Sequence, residues 1–211
     1  MGVIESVNVG VERAVLAKTG RSGIDKRPVP GAVSIAVPAA GCSGLAGDRI
    51  SDVDHHGGPD QAVYAYARED LDAWEPHLGP LRAGTFGENL TTRDLDVTGA
   101  RIGERWHVGQ GLVLQVTVPR IPCRTFAAWL ERAGWVREFT TAGVPGAYLR
   151  VVTPGTVVAG DAVVVERPDH DVTIGLAFRA VMTAPELLPE LLPALDALPD
   201  DVRDRVLRRL R

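Results

Sequence analysis

The sequence contains few cysteines, no long apolar run and no excess of basic residues. Only Cys42 and Cys123 occur among 211 residues, so we expect reduced thiols and no disulfide framework. No segment approaches the ~18 consecutive apolar residues of a membrane span, and the first residues do not have the pattern of a signal peptide. We therefore expect a cytoplasmic protein that does not associate with membranes.

The charge balance argues against nucleic-acid binding. Lys and Arg together number 23, Asp and Glu number 27, and the net charge is −4. Because a mildly acidic chain does not attract nucleic acid by its overall charge, any anionic ligand must be bound by a local group of donors.

Glycine and proline are abundant, and they divide the chain into short segments. The 23 glycines and 15 prolines are spread along the sequence, which is typical of turn-rich β structure. We predict a mainly β fold with a closed or nearly closed barrel over residues 1–169, and a helical region over 170–211. Periodicity predicts strands at 4–9, 32–37, 62–66, 88–92, 102–108, 112–118, 148–152 and 163–165, and short helices at 68–78 and within 126–139.

Cys123 is the first candidate for chemistry. It follows a predicted strand, in the segment Pro119-Arg120-Ile121-Pro122-Cys123-Arg124. Thiolate is the reactive and metal-ligating form of cysteine, and neighbouring cations favour it. The two prolines restrict the loop that carries the sulfur. The alternative interpretation is a small buried cysteine that only fills space.

Two glycine-containing segments are candidates for the walls of a ligand site. In residues 55–61, paired glycines allow a close approach of the backbone, and Asp60 and Gln61 can read the edge of a flat heterocycle. In residues 84–92, a Gly-Phe-Gly sequence precedes Glu88 and Asn89. A plain turn is an equally good interpretation of residues 55–61, and a turn with a buried phenylalanine is the more common outcome for residues 84–92. Zinc is not expected, because the adjacent histidines point apart and have no partner at ligand spacing.

These segments, taken in order, resemble the MOSC domain family and, within it, the YiiM-like branch. The resemblance is carried by residues 56–63, 86–90 and 119–123, with support from 44–48 and 146–152. It spans nearly the whole chain, and the residues from Asp171 onward resemble the small three-helix C-terminal domain of that branch.

The resemblance implies a MOSC-type β-barrel core that binds the molybdenum cofactor, a molybdopterin that holds the metal through a dithiolene. It implies that Cys123 is the catalytic residue and the protein ligand of molybdenum. We expect the pterin to be bound by Asp60, Gln61 and Asn89, and its phosphate by Arg120 or Arg124. The full set of predicted cofactor-binding residues is His56, Gly57, Gly58, Asp60, Gln61, Glu88, Asn89, Arg120 and Arg124. The family is also associated with pyridoxal phosphate.

The activity that the resemblance implies is the reduction of small N-hydroxylated compounds, such as the N-hydroxylated purine 6-hydroxylaminopurine. The sequence has no recognisable flavin, NAD or iron–sulfur motif, so electrons are expected from a separate flavin-containing donor. Two alternatives stay open: a non-catalytic carrier of molybdenum cofactor or sulfur that uses Cys123, and a thiol hydrolase or transferase with His56 as base. A homodimer is also left open.

Overall fold

The computed structural model describes residues 1–14, 20–52 and 56–210. The strands in these ranges are β1 (Gly2–Gly10), β2 (Arg13–Ala14), β3 (Arg21–Ser22), β4 (Lys26–Pro28), β5 (Val33–Ile35), β6 (Val63–Ala67), β7 (Leu90–Arg93), β8 (Arg105–Val108), β9 (Leu112–Pro119), β10 (Ala147–Thr153), β11 (Gly155–Val157) and β12 (Ala162–Glu166). The helices are α1 (Arg68–Leu78), α2 (Arg124–Trp129), α3 (Trp135–Ala142), α4 (Ile174–Met182) and α5 (Asp200–Arg209), with 3₁₀ helices at Pro59–Gln61 and Pro185–Ala197.

Seven of these strands close into a barrel, in the order β12-β8-β9-β10-β6-β7-β1. Closure occurs where β1 pairs with β12, with Gly2 opposite Val163 and Val3 opposite Ala162. The neighbouring strands are antiparallel except for β6 and β7, which are parallel, and β4 extends the sheet beside β1. Closure pairs the edges that short strands would otherwise expose. The predicted mainly β barrel is confirmed.

The barrel interior and the C-terminal helices share one apolar core. On β9, Leu112, Leu114 and Val116 alternate with less buried neighbours, so one face of the strand points inward. Ile174 of α4 and Val206 of α5 belong to the same buried cluster. The helical region is therefore stabilised by burial against the barrel.

A separate aromatic cluster positions the loop that carries Cys123. Phe86, Phe126, Trp135 and Phe139 are fully buried, and they join the turn before β7 to α2 and α3. Their ring centroids lie 5.1 to 6.2 Å apart, the spacing of favourable aromatic contacts. The start of α2 is consequently anchored next to the barrel.

Most predicted elements are present, with boundaries shifted by a few residues. Helix α1 coincides with the predicted helix at 68–78. The predicted helical segment 126–139 is divided at Gly134, whose φ of 78° lies in the left-handed region. Within the C-terminal region, Pro189 and Pro193 lack amide hydrogens, and the segment forms a 3₁₀ helix rather than an α-helix. No helix in the described part of the chain is long and apolar enough to cross a membrane.

Asp70, in the first turn of α1, leads to a prediction about pH and stability. Burial raises its pKa to about 6, and Asp96 and Glu69 contribute in the same direction. Because this pKa exceeds that of the unfolded chain, the protonated carboxyl stabilises the fold, and this stabilisation is lost as the pH rises through 6. Asp70→Asn should therefore increase the free energy of unfolding by about 2 kcal/mol more at pH 8 than at pH 4. Urea unfolding at both pH values measures the difference, and equal effects at both would contradict the prediction.

Candidate functional site

A cavity opens beside Cys123 at one end of the barrel. Its volume is about 700 Å³ including its mouth. Strand β9 ends at Pro119 and α2 begins at Arg124, so a loop of four residues places the half-buried Cys123 directly before the helix. Pro122 within this short loop is buried, which leaves the sulfur little freedom to move.

Arg120 provides a buried positive charge at this cavity. Its Nη1 donates to the carbonyl oxygen of Phe86 at 2.9 Å, and its guanidinium lies 4.0 Å from the centroid of the Phe126 ring and 5.3 Å from that of Tyr64. Burial lowers the pKa of Arg120, but interactions with neighbouring tyrosines and Cys123 outweigh burial and the pKa is raised. Its Nε is buried and has no hydrogen-bond partner among the described residues. This donor is therefore unsatisfied within the described chain.

Lys26 and Asp48 form a buried ion pair on the cavity wall. The Lys26 Nζ lies 2.5 Å from both carboxylate oxygens. Asp48 also accepts hydrogen bonds from the Gly10 amide at 2.8 Å, the Ser43 hydroxyl at 2.6 Å and the Asn89 side-chain amide at 2.9 Å. Burial lowers the pKa of Lys26, and Asp48 opposes that shift. Asp48 thus joins four separate segments of the chain around one carboxylate.

Tyr148, His56 and Gln61 form a further part of the wall. The Tyr148 hydroxyl lies 3.4 Å from Nδ1 of His56. Burial raises the pKa of Tyr148, and Arg120 opposes that shift. The Gln61 Oε1 is buried without a hydrogen-bond partner in the described chain. Because an unpaired buried acceptor is costly, a ligand N–H or O–H next to this side chain would be stabilised.

The structure brings six of the predicted site residues together at this cavity. They are His56, Gly57, Gln61, Asn89, Arg120 and Cys123. Asn89 is already occupied, because its Oδ1 accepts from the Tyr64 amide at 3.1 Å while its Nδ2 donates to Asp48. Its contribution to a ligand is therefore indirect, through the position of Asp48.

The other predicted residues lie elsewhere. Glu88 is fully buried, and its carboxylate accepts from the amides of Gly84 and Phe86 and from the Thr91 hydroxyl, so it stabilises the turn before β7. Burial raises its pKa, and the hydrogen bond from Gly84 opposes that shift. Arg124 is exposed at the start of α2 and does not line the cavity.

Gly57 and Gly58 have a structural reason for lacking side chains. A Cβ at Gly57 would lie 2.6 Å from the Ile50 side chain and 2.7 Å from the Cys42 carbonyl oxygen. Gly58 has a φ of 86° and donates its amide to the same carbonyl oxygen at 2.9 Å. The paired glycines therefore allow two loops to pack closely, as the turn interpretation expects. His55 lies outside the described residues.

A second cavity lies between the barrel rim and helices α4 and α5, and it is larger, with a volume of about 1200 Å³ including its mouth. Asp60 lines this cavity, where its carboxylate forms an ion pair with Arg150 at 2.6 Å. The two cavities share a wall made of His56, Gly57, Gln61 and Tyr148.

The residues of the site that were not predicted from the sequence include Lys26, Asp48 and Tyr148, and also the basic Arg21 and Arg49. Asp48 ends the glycine-containing segment 44–48, which by itself indicates only a turn. The sequence offered one signal for Lys26, because Lys18 and Lys26 are the only two lysines in a chain that is rich in arginine. Within residues 1–14, 20–52 and 56–210, no group of three or more His, Cys, Asp and Glu side chains is arranged to hold a metal ion.

Comparison with known proteins identifies a protein family that this chain matches. The model of the MOSC domain family matches residues 52–164, more than half of the chain. The uncharacterized protein YflK of Bacillus subtilis is 34% identical over 158 residues, which cover 74% of this chain and 69% of YflK. Protein YiiM of Escherichia coli is 32% identical over 135 residues, which cover 62% of this chain and 60% of YiiM. A protein named Reductase from Gibberella moniliformis is 27% identical over 173 residues, 79% of this chain but only 30% of its own length.

Solved structures agree with the sequence comparison. YiiM from Geobacillus stearothermophilus superposes with a TM-score of 0.79 at 26% identity, over the full length of both chains. YiiM from Escherichia coli superposes with a TM-score of 0.76 at 25% identity, over all of this chain and 93% of that one. The family resemblance predicted from the three segments is thereby confirmed. The chain belongs to the MOSC domain family and, within it, to the YiiM-like branch.

Proposed function

We propose that this chain is an oxidoreductase that binds the molybdenum cofactor through Cys123 and reduces N-hydroxylated compounds, such as N-hydroxylated purines. Electrons would come from a separate flavin-containing protein. The observation that carries the proposal is the half-buried Cys123, on the wall of a cavity that is also lined by the buried, positively charged Arg120. The name of the fungal relative, Reductase, supports the broader oxidoreductase class.

The residues at the first cavity fit an anionic cofactor that brings sulfur ligands of its own. Four basic side chains of the described chain line it (Arg21, Lys26, Arg49 and Arg120) against two acidic ones (Asp48 and Asp52). Arg120 is the candidate donor to a phosphate, because its buried, charged guanidinium belongs to a residue that lines this cavity. A soft thiolate is a suitable further ligand for a metal already held by sulfur, and metal binding itself favours the deprotonated form.

The proposed reaction balances as R–NHOH plus two electrons and two protons, which gives R–NH₂ and water. The cofactor, when bound, supplies the two-electron redox chemistry. Cys123 would ligate the metal of the bound cofactor, and Arg120 would offset the negative charge of that cofactor. The Tyr148 hydroxyl, next to Nδ1 of His56, places a proton donor at the wall where a substrate would lie.

Pyridoxal phosphate binding stays a prediction. A lysine amine is the usual partner of that cofactor, and Lys26 is the lysine on the cavity wall. Its Nζ is already bound by both carboxylate oxygens of Asp48. The observed contacts of Lys26 are therefore those of an ion pair.

Expression of the protein in a host that makes molybdenum cofactor tests the proposal. We expect about one molybdenum per chain by elemental analysis, and none from a host that cannot make the cofactor. With a chemically reduced dye as donor, the loaded protein should convert an N-hydroxylated purine to its amine, measured by chromatography. Stoichiometric molybdenum without amine formation would favour the carrier alternative. Absence of both would refute the proposed function.

A further inference from the structure

We propose that an arginine-rich surface at the mouth of the first cavity is the docking site for an acidic protein that donates electrons. This surface, the arginine patch, consists of five exposed side chains: Arg13, Arg21, Arg27, Arg49 and Arg82. The inference rests on the proposed function and adds to it the surface on which the electron donor binds and the charge of that donor.

Three arginines of the patch converge on one buried carboxylate. Asp25, whose side chain is only 2% exposed, pairs with Arg13 at 2.9 Å, with Arg27 at 3.1 Å and with Arg82. One guanidinium is enough to offset the charge of Asp25, so the other two leave an excess of positive charge. The three arginine side chains are 39% to 57% exposed, and this excess charge therefore faces solvent.

The arginine patch borders the first cavity. Arg21 and Arg49 line that cavity and are also exposed, so they lie at its mouth. Arg82 donates a hydrogen bond to the carbonyl oxygen of Lys26, which lines the same cavity. A protein docked on the patch would therefore lie beside the cavity that Cys123 also lines.

The charge of the patch is opposite to that of the whole chain, whose net charge is −4. In the described part of the chain, Asp25 and Glu12 pair with arginines of the patch, and Asp52 lines the adjoining cavity. Five positive charges therefore lie with three negative ones. Because most of the molecule repels an acidic partner, a local positive surface both attracts such a partner and sets the side on which it binds.

A protein surface fits the patch better than a small anion does. The five arginines come from five separate segments (β2, β3, β4, the loop after β5 and the loop after α1), so they cover an area rather than enclose a pocket. Weak complexes of electron-transfer proteins use small interfaces, and charge guides their encounter. A fully reduced flavin in the docked protein supplies the two electrons and two protons that the balanced reaction consumes, and it returns to its oxidised form.

A binding experiment on the full chain, without cofactor, tests the location. The probe is a flavodoxin, a small acidic protein that carries a flavin. Titration of the ¹⁵N-labelled chain with oxidised flavodoxin should shift the backbone amide signals of the five arginines of the patch. Because the contact is between charges, the complex should weaken at least about tenfold between about 0.02 and 0.3 M ionic strength.

Three results of this titration would overturn the proposal. One is the absence of binding at low ionic strength, and another is a set of shifted signals that lies only outside the patch. The third is tighter binding of a DNA duplex or of phosphatidylserine vesicles at the same residues, which would assign the patch to a different class of partner.

Two double variants remove the same charge at different places. Arg13→Gln/Arg27→Gln neutralises two arginines of the patch that do not line the cavity, and it leaves a third arginine paired with the buried carboxylate. Arg208→Gln/Arg209→Gln is the matched control, because it neutralises two exposed arginines of α5, a helix that does not line the first cavity. The first variant should weaken flavodoxin binding about tenfold, and the control should leave it unchanged.

Equal weakening by the two variants would show that only net charge matters, and it would overturn the docking site. If Arg13→Gln/Arg27→Gln does not fold, the signal map of the unaltered chain decides the location.

Turnover by the loaded protein separates docking from chemistry. At low ionic strength and subsaturating donor, Arg13→Gln/Arg27→Gln should oxidise reduced flavodoxin about tenfold more slowly than the unaltered chain, in the presence of an N-hydroxylated purine. With a reduced dye as donor, its rate should be unchanged. An equal fall with both donors would overturn the proposal. Absence of turnover with the dye in the unaltered chain would refute the proposed function, whereas the binding map still tests the docking surface.

Discussion

Replacement of Cys123 by serine is expected to remove bound molybdenum and to lower the rate of N–O reduction at least about 100-fold. A hydroxyl is a harder and far less acidic ligand than a thiol, so it does not replace the thiolate on a metal held by sulfur. The substitution changes a single half-buried atom before α2, and the fold should tolerate it. Elemental analysis and the rate of amine formation, measured on the same preparation, test both parts.

Cys42→Ser is the matched control for this experiment. Cys42 is the other cysteine of the chain, it is exposed, and it lines neither cavity. Its replacement should leave both the molybdenum content and the rate unchanged. Full retention of molybdenum in Cys123→Ser would contradict the assignment of Cys123 as ligand. A loss in both variants would point to a general effect of thiol removal.

Replacement of Asp48 by alanine is expected to lower the free energy of unfolding by about 4 kcal/mol. It leaves the Lys26 ammonium buried without its counter-ion, and it removes the acceptor of three further donors, on Gly10, Ser43 and Asn89. Lys26→Met should cost only about 1 to 2 kcal/mol, because those three donors still satisfy the carboxylate. Urea unfolding of both variants at neutral pH measures the difference.

Asp200→Asn is the control for charge removal at the surface. Asp200 is almost fully exposed, and it pairs with Arg203 at 3.2 Å within α5. Such a pair contributes less than about 1 kcal/mol, so the variant should unfold almost like the unaltered chain. An equal cost for Asp48→Ala and Lys26→Met would contradict the view that Asp48 holds the segments around it. It would instead indicate that the ion pair alone carries the stability.

The sequence by itself was sufficient to predict the structural features that depend only on residues close together in the chain. The amphipathic spacing predicted α1, and the alternation of apolar and polar residues predicted the principal strands, because local periodicity decides which face of an element can be buried. The Cys123 loop was also predictable, since two prolines and a strand end lie within five residues of the chain. The family followed from three short segments in order.

Contacts between distant residues were not predictable in this way. Lys26 and Asp48 are 22 positions apart, and their pairing depends on the packing of β4 against the loop that follows β5. Glu88 and Asn89 are adjacent in sequence, yet one is buried under a turn and the other reaches the cavity. The side chains of two adjacent residues in an extended segment point to different sides of the backbone. Only the packing of the surrounding segments decides which groups each side chain contacts.

The sequence therefore determined the fold class, the position of the candidate thiol and the family. The tertiary structure decided which polar residues surround that thiol, and it revealed a second cavity walled by the barrel and the C-terminal helices. The physical reason is that periodicity and turn chemistry act over a few residues. Ion pairs and cavities arise where segments far apart in the chain are brought together by burial of the common core.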